Sequence, residues 1–329
     1  MPVLLIIDRK ITLISRIVFV FLISANFVFA DEPAIGAIQW LERMSHAMKT
    51  LNFQGTVVFA KNGRIDTMKY FHATDENGLE QERLLSLNSP MREVVRDAGK
   101  VHCIFLDSEK ALIDHRPVSE SFLVDVPRDF SALKNIYHYS FAGEELVAML
   151  PAMIISIKAK DKNRFGRKIW VDKQYFLPLK EEVYDLAGKP MKQVVFTALQ
   201  VGTQLPFVEI NEKTENITIE NIHQIDLSAS ADKTNDVVLE NMPTGFKIEF
   251  LTRMDRVNSE NSVDHLLLSD GFSSISVYRE TKTKNTKKGL QALGAVNLFT
   301  HIGKNHQITA MGEVPATTVQ SIAQGVQFR

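Results

Sequence analysis

The chain carries one cysteine among 329 residues, so no disulfide can form within it and its cores must be held by packing. That cysteine, Cys103, stands in Val101-His102-Cys103-Ile104-Phe105. Apolar neighbours raise a thiol pKa, which favours a structural over a nucleophilic role. An excess of one charge is lacking too: 38 Lys and Arg face 39 Asp and Glu. That balance argues against an electrostatic footprint for nucleic acid. There is no Gly-rich phosphate loop, nucleophile-elbow Ser or paired-Cys motif. His301 and His306 flank the turn Gly303-Lys304-Asn305 without a further ligand nearby, and the other histidines are scattered. No metal or cofactor is therefore expected. Catalysis would need a spatial triad hidden from the linear order. Internal repeats are absent as well, which disfavours a repetitive surface protein.

A long apolar run is also missing. Arg9, Lys10 and Arg16 precede an apolar stretch over residues 17–29, shorter than the roughly 20 residues that span a bilayer. Val28-Phe29-Ala30 supplies the positions of a signal-peptidase cut before Asp31. The reading is a signal peptide over residues 1–30, export, and a soluble mature protein; a retained anchor is the alternative. No cysteine follows the cut at which a lipoprotein would be acylated.

The mature chain opens with an amphipathic helix, because Ile35, Ile38, Leu41, Met44, Met48 and Leu51 recur every three or four residues. The period then becomes two, with Val57 and Phe59, Met68 and Tyr70, Leu85 and Leu87, and Val101, Cys103 and Phe105 marking short strands. Asn62-Gly63, Asn77-Gly78 and Ala98-Gly99 supply the tight reversals between them. Residues 115–140, with Pro117, Pro127 and several aromatics, read as a long connection, and the meander resumes beyond Phe141. The expected fold class is α+β and mostly antiparallel: an unclosed barrel or curved sheet wrapped on a helix, plus a smaller α+β unit. Polar residues 202–236 read as a linker between an N-terminal domain over 31–201 and a C-terminal domain over 237–329. In the latter, Ser269-Asp270-Gly271 turns a hairpin and Pro315 starts a short helix that Gly325 ends.

A sheet curved round one helix leaves inward apolar positions that either pack on the helix or line a cavity for acyl chains. The candidates are Phe53, Val57, Phe59, Tyr70, Phe71, Leu85 and Phe105. The cluster Lys282, Lys284, Lys287 and Lys288 reads as a solvated loop tip or a contact for lipid phosphates.

The order of several segments resembles one family, the RseB/MucB proteins, periplasmic negative regulators of the envelope-stress sigma factor sigma-E. The resemblance rests on Arg83-Leu84-Leu85-Ser86-Leu87-Asn88-Ser89-Pro90-Met91-Arg92-Glu93-Val94-Val95-Arg96, and on Ile157-Lys158-Ala159-Lys160-Asp161-Lys162-Asn163-Arg164-Phe165-Gly166 leading to Ile169-Trp170-Val171-Asp172 and Leu177-Pro178-Leu179-Lys180. It continues in Met242-Pro243-Thr244-Gly245-Phe246, in Leu268-Ser269-Asp270-Gly271-Phe272-Ser273-Ser274-Ile275-Ser276-Val277 and in Met311-Gly312-Glu313-Val314-Pro315. Two departures stand out: a more polar linker, and Val237 to Asn241 where the family would place an aromatic before the Pro-x-Gly-Phe turn.

The resemblance implies a LolA/LolB-like N-terminal domain with an apolar cavity and a smaller partner-binding domain. Its partner would be the periplasmic region of a membrane-spanning anti-sigma factor of RseA/MucA type, shielded from site-one proteolysis. Lipid or lipopolysaccharide would release it, and the protein itself would not be an enzyme. Phe246, Phe272 and Tyr278 are the candidate partner-binding residues. A periplasmic lipid or lipoprotein carrier of LolA type is the competing function, and a homo-oligomer is left open.

Overall fold

The computed structural model describes residues 36–328, apart from 62, 89–91, 98–99, 106–109, 115–120, 128, 203–204, 208–217, 224–236, 256–261 and 284–286. The expected leader with its cut, Asn62, Ala98-Gly99, most of the polar linker and Lys284 lie outside them.

Helix α1 (Ala37–Thr50) buries Leu41, Met44 and Met48 of the expected stripe together with Ala37 and Ala47, while Ile38 and Leu51 are half-buried against the same core and Ile35 lies outside the described residues. Strands β1 (Phe53–Lys61), β2 (Arg64–Thr74), β3 (Glu80–Ser86), β4 (Arg92–Asp97), β5 (Lys100–Phe105) and β6 (Lys110–Asp114) form a meander from one side of β1. Strands β7 (Tyr137–Val147), β8 (Leu150–Ala159), β9 (Gly166–Asp172), β10 (Pro178–Tyr184) and β11 (Pro190–Val201) return to its other side, where β11 pairs with β1. Strand β12 (Thr218–His223) adds in parallel to β6. The sheet has twelve strands, ordered β12-β6-β5-β4-β3-β2-β1-β11-β10-β9-β8-β7, and its two edges do not pair. It is the expected unclosed, curved sheet.

Two expectations are corrected here. Residues 137–141 are strand rather than connection: Tyr137, Tyr139 and Phe141 pair with Ala159, Ile157 and Ile155. Their own period-two spacing carried that signal, masked by the prolines upstream. Within the stretch read as linker, residues 218–223 belong to the sheet as β12.

The second sheet collects β14 (Lys247–Asp255), β15 (Ser262–Ser269), β16 (Ser274–Thr281), β17 (Gly289–Leu293), β18 (Val296–Ile302) and β19 (His306–Gly312) in the order β14-β15-β16-β19-β18-β17. A further pair joins β13 (Val237–Leu239) to β20 (Val326–Phe328). Helix α2 (Ala316–Gly325), entered at Pro315, buries Val319, Ile322 and Ala323 against Leu266, Ile275, Val277 and Ala310. Each sheet thus carries its own core, as a two-domain chain requires.

In the larger core, Leu41 and Met44 of α1 meet Phe53, Val57, Tyr70, Phe196, Ile155 and Ile169, all sealed from solvent. Each such side chain contributes about 1.5–3 kcal/mol by leaving water. Gly55 marks a close approach: a Cβ there would stand 2.3 Å from the Ala198 carbonyl and 2.7 Å from the Phe196 ring. The absent side chain lets Phe196 lie across β1.

Candidate functional site

The seven cavity candidates separate by sheet face. Phe53, Val57 and Phe59 alternate along β1 toward α1, and Tyr70 joins them from β2. Phe53, Val57 and Tyr70 are fully buried and Phe59 is half-buried at the margin of the same core. Phe71 and Leu85 fall on the opposite strand phase. Phe71 lies beneath Arg83, whose guanidinium is 5.1 Å from its ring and pairs with Glu93. Inward on β3 point Leu84 and Ser86, because Tyr70 registers opposite Leu84. Leu84 and Leu85 are adjacent and both apolar, so pairing with β2 decides which of them faces in. Phe105 belongs to β5, and its side chain lies outside the described residues.

The inward residues pack on α1 and on one another rather than line open space. Phe53 lies tilted against Tyr70 at 5.4 Å and stacks with His72 at 5.1 Å. The Tyr70 hydroxyl donates to Glu82 Oε1 at 2.8 Å. Burial, reinforced by the Glu82 charge, pushes that hydroxyl well above its ordinary pKa, so it stays a donor. His72 is held neutral by burial, its pKa lowered despite an Nδ1 contact with the Leu51 carbonyl at 2.8 Å. A cleft of about 530 Å3 lies instead beside the first turn of α1 and β7, lined by Gln39, Glu42, Lys134, His138, Tyr139 and Lys160 among others. None of the seven candidates lines it.

The densest chemistry lies where the two sheets meet. Arg164, fully buried, donates from Nη1 to Asp270 Oδ2 at 2.6 Å and from Nη2 to the Thr244 carbonyl at 2.7 Å. Its guanidinium sits between the rings of Tyr137 (5.6 Å) and Phe246 (4.9 Å). The Tyr137 hydroxyl donates to the same Asp270 Oδ2 at 2.8 Å. Burial and the Asp270 charge push that hydroxyl far above its usual range, which keeps its proton in place. Arg167 bridges Glu181 Oε1 at 2.8 Å and the Phe272 carbonyl at 2.5 Å. Burial opposes its charge, but Glu181 together with Tyr137, Asp125 and Asp270 outweighs burial and raises the pKa of Arg167. Nearby, Glu313 pairs with Lys61 at 2.8 Å and Lys192 at 3.1 Å. Burial would raise its pKa, yet Lys192 and Lys61 draw it down to about 2.

This placement buries two of the three partner-binding candidates. Phe246 lies under Arg164, and Phe272 inserts into the larger domain's core against Phe130 (5.8 Å) and Tyr137 (5.2 Å). Both are spent inside the molecule. Tyr278 is half-buried and stacks on His265 at 4.4 Å. No site role was expected of Arg164, Arg167 or Asp270, although Arg164 and Asp270 lie inside the stretches that carry the family resemblance and Arg167 directly follows one. Among the described residues no three His, Cys, Asp or Glu gather in a metal-binding group, and no helix is long and apolar enough to cross a membrane.

A curved open sheet packed on a helix, with a second α+β module keyed into it through buried ions, defines a two-domain binding scaffold. The model of the MucB/RseB N-terminal domain matches residues 36–214, and that of the MucB/RseB C-terminal domain matches residues 231–327. The chain belongs to the MucB/RseB family. It is 27% identical over 302 residues to the sigma factor AlgU regulatory protein MucB of Pseudomonas aeruginosa, covering 89% of this chain and 92% of that one. To the sigma-E factor regulatory protein RseB of Escherichia coli K12 it is 24% identical, covering 93% and 94%. The fold matches the MucB chain of the Pseudomonas aeruginosa MucA/MucB complex with TM-score 0.70 at 24% identity, over 89% of this chain and 99% of that one. A structure of MucB in complex with MucA(peri) matches with TM-score 0.68 at 24% identity, over the same shares of the two chains.

Proposed function

We propose that this protein is a negative regulator of a sigma-E-type envelope stress response. It binds the periplasmic region of a membrane-spanning anti-sigma factor and shields it from site-one proteolysis, without catalysis of its own. One observation carries the reading: both family domains are present in order, on a fold shared over 89% of the chain with a MucB solved together with MucA. The leader over residues 1–30, cut between Ala30 and Asp31, would deliver it to the periplasm. The domains are taken as 31–201 and 237–329, with the connection between them contributing residues 218–223 to the larger sheet as β12.

Release by lipid or lipopolysaccharide is part of the proposal. A lipid shifts the equilibrium only if it binds the partner-free state better than the complex. With Phe53, Val57 and Tyr70 sealed, an acyl chain entering between α1 and the sheet has to displace core side chains, so lipid uptake and rearrangement of this domain are one event. A LolA-type carrier remains the second reading, favoured by the open curved sheet alone; the second domain has no evident part in it.

Titration calorimetry of the mature protein with the anti-sigma periplasmic segment tests the regulator. Micromolar or tighter binding is expected, about −8 kcal/mol or better. Transfer of lipid between vesicles with no binding of the segment would establish the carrier instead.

A further inference from the structure

Asp270 does two jobs with one carboxylate. Its Oδ1 accepts the backbone N–H groups of Phe272 (2.9 Å) and Ser273 (2.8 Å), which shapes the turn between β15 and β16. Its Oδ2 accepts Arg164 and the Tyr137 hydroxyl, both from the other domain. The turn so shaped presents Phe272 to the larger core and its carbonyl to Arg167. Gly271, at φ 95°, lets the turn touch Pro127, where a Cβ would stand 2.6 Å from the proline side chain.

We propose that Asp270, with Arg164 and Tyr137, is the positioning group that sets the domain arrangement on which partner binding depends, and that this joint opens as a unit. This rests on the regulator reading above. Arg164 is fully buried and Asp270 nearly so; Arg164 is the cation paired with Asp270, while Arg164 itself also pairs with Asp161 of its own domain at 3.0 Å. Sliding the domains part-way would leave the Asp270 carboxylate buried without its cation, which is far costlier than either end state. Full separation returns both to water. The same carboxylate would then lose its outside partners, so the shape of the turn and the docking of Phe272 change together. Such a joint has discrete states, as a switch requires.

Hydrogen–deuterium exchange on the full mature chain, with Asp270→Asn and Tyr137→Phe, tests this. Asp270→Asn is expected to speed exchange about tenfold or more in residues 270–273 and in residues 130–137 together, and Tyr137→Phe to do so more weakly. The interior of β15 should keep its protection. Calorimetry on the same variants should show affinity for the anti-sigma segment shifting by the factor by which opening shifts, since the two are linked. Loosening of residues 270–273 alone would make Asp270 a local turn residue and overturn the proposal. Opening on both sides with unchanged affinity would overturn it equally. Should the unaltered protein fail to bind the segment, the regulator reading falls and the positioning role with it, whereas joint opening is read separately from exchange.

Discussion

Glu313 shows how one side chain acquires a pH window. Its carboxyl sits between Lys61 and Lys192, and its pKa falls from an ordinary 4.5 to about 2. A folded value below the unfolded one gives stability that is present above about 4.5 and lost as pH falls toward 2. The carboxylate is a quarter exposed, so the contribution is discounted to on the order of 2 kcal/mol. Glu313→Gln should lower neutral-pH stability by about that amount and flatten the acid limb between those pH values. Urea denaturation at a series of pH values checks both.

Turns and strands carry predictions of another kind. Strands β7 and β8 are joined through Ala148 at φ 51° and Met149 at φ 64°, a left-handed pair in which neither residue is glycine. That conformation is the one Asn-Gly adopts most readily. Replacing the pair, Ala148→Asn with Met149→Gly, should stabilise the protein by about 1 kcal/mol and remove an almost fully exposed methionine. Gly55 and Gly188 separate two reasons for glycine. At Gly188 nothing lies within 4 Å of an added Cβ and only φ 83° is strained, so Gly188→Ala should cost about 1 kcal/mol. Gly55→Ala meets backbone at 2.3 Å and should cost about 2 kcal/mol or more, because β1 or β11 must move. Thermal melts of the two variants rank the effects. At this scale the elements were largely legible in the sequence. The stripe of α1, the reversals at Gly63 and Gly78, and the short helix after Pro315 all follow local periodicity and turn chemistry. The phase of β3 did not, because Leu84 and Leu85 are both apolar and the partner strand chooses between them.

For the whole molecule, the open twelve-stranded sheet and the smaller sheet are two cores that meet through ions rather than through a continuous oily seam. Among the described residues Phe272 is the exception, an apolar side chain of one domain completing the core of the other. Phe272→Ala should therefore weaken both domain docking and global stability, by about 3 kcal/mol, measured as a shared shift in urea midpoint for probes in either domain. The amino-acid order by itself determined the alternation of strands, the covered face of α1, the two-part organisation and the family, because each is written in spacings of a few residues or in the succession of motifs. Tertiary structure alone decided that Phe246 and Phe272 face inward, that Phe53, Val57 and Tyr70 close the interior, and that Arg164 finds Asp270 across 106 positions. A buried charge selects its counter-ion only after the chain has brought distant segments together and expelled the water between them, and no local pattern records that closure.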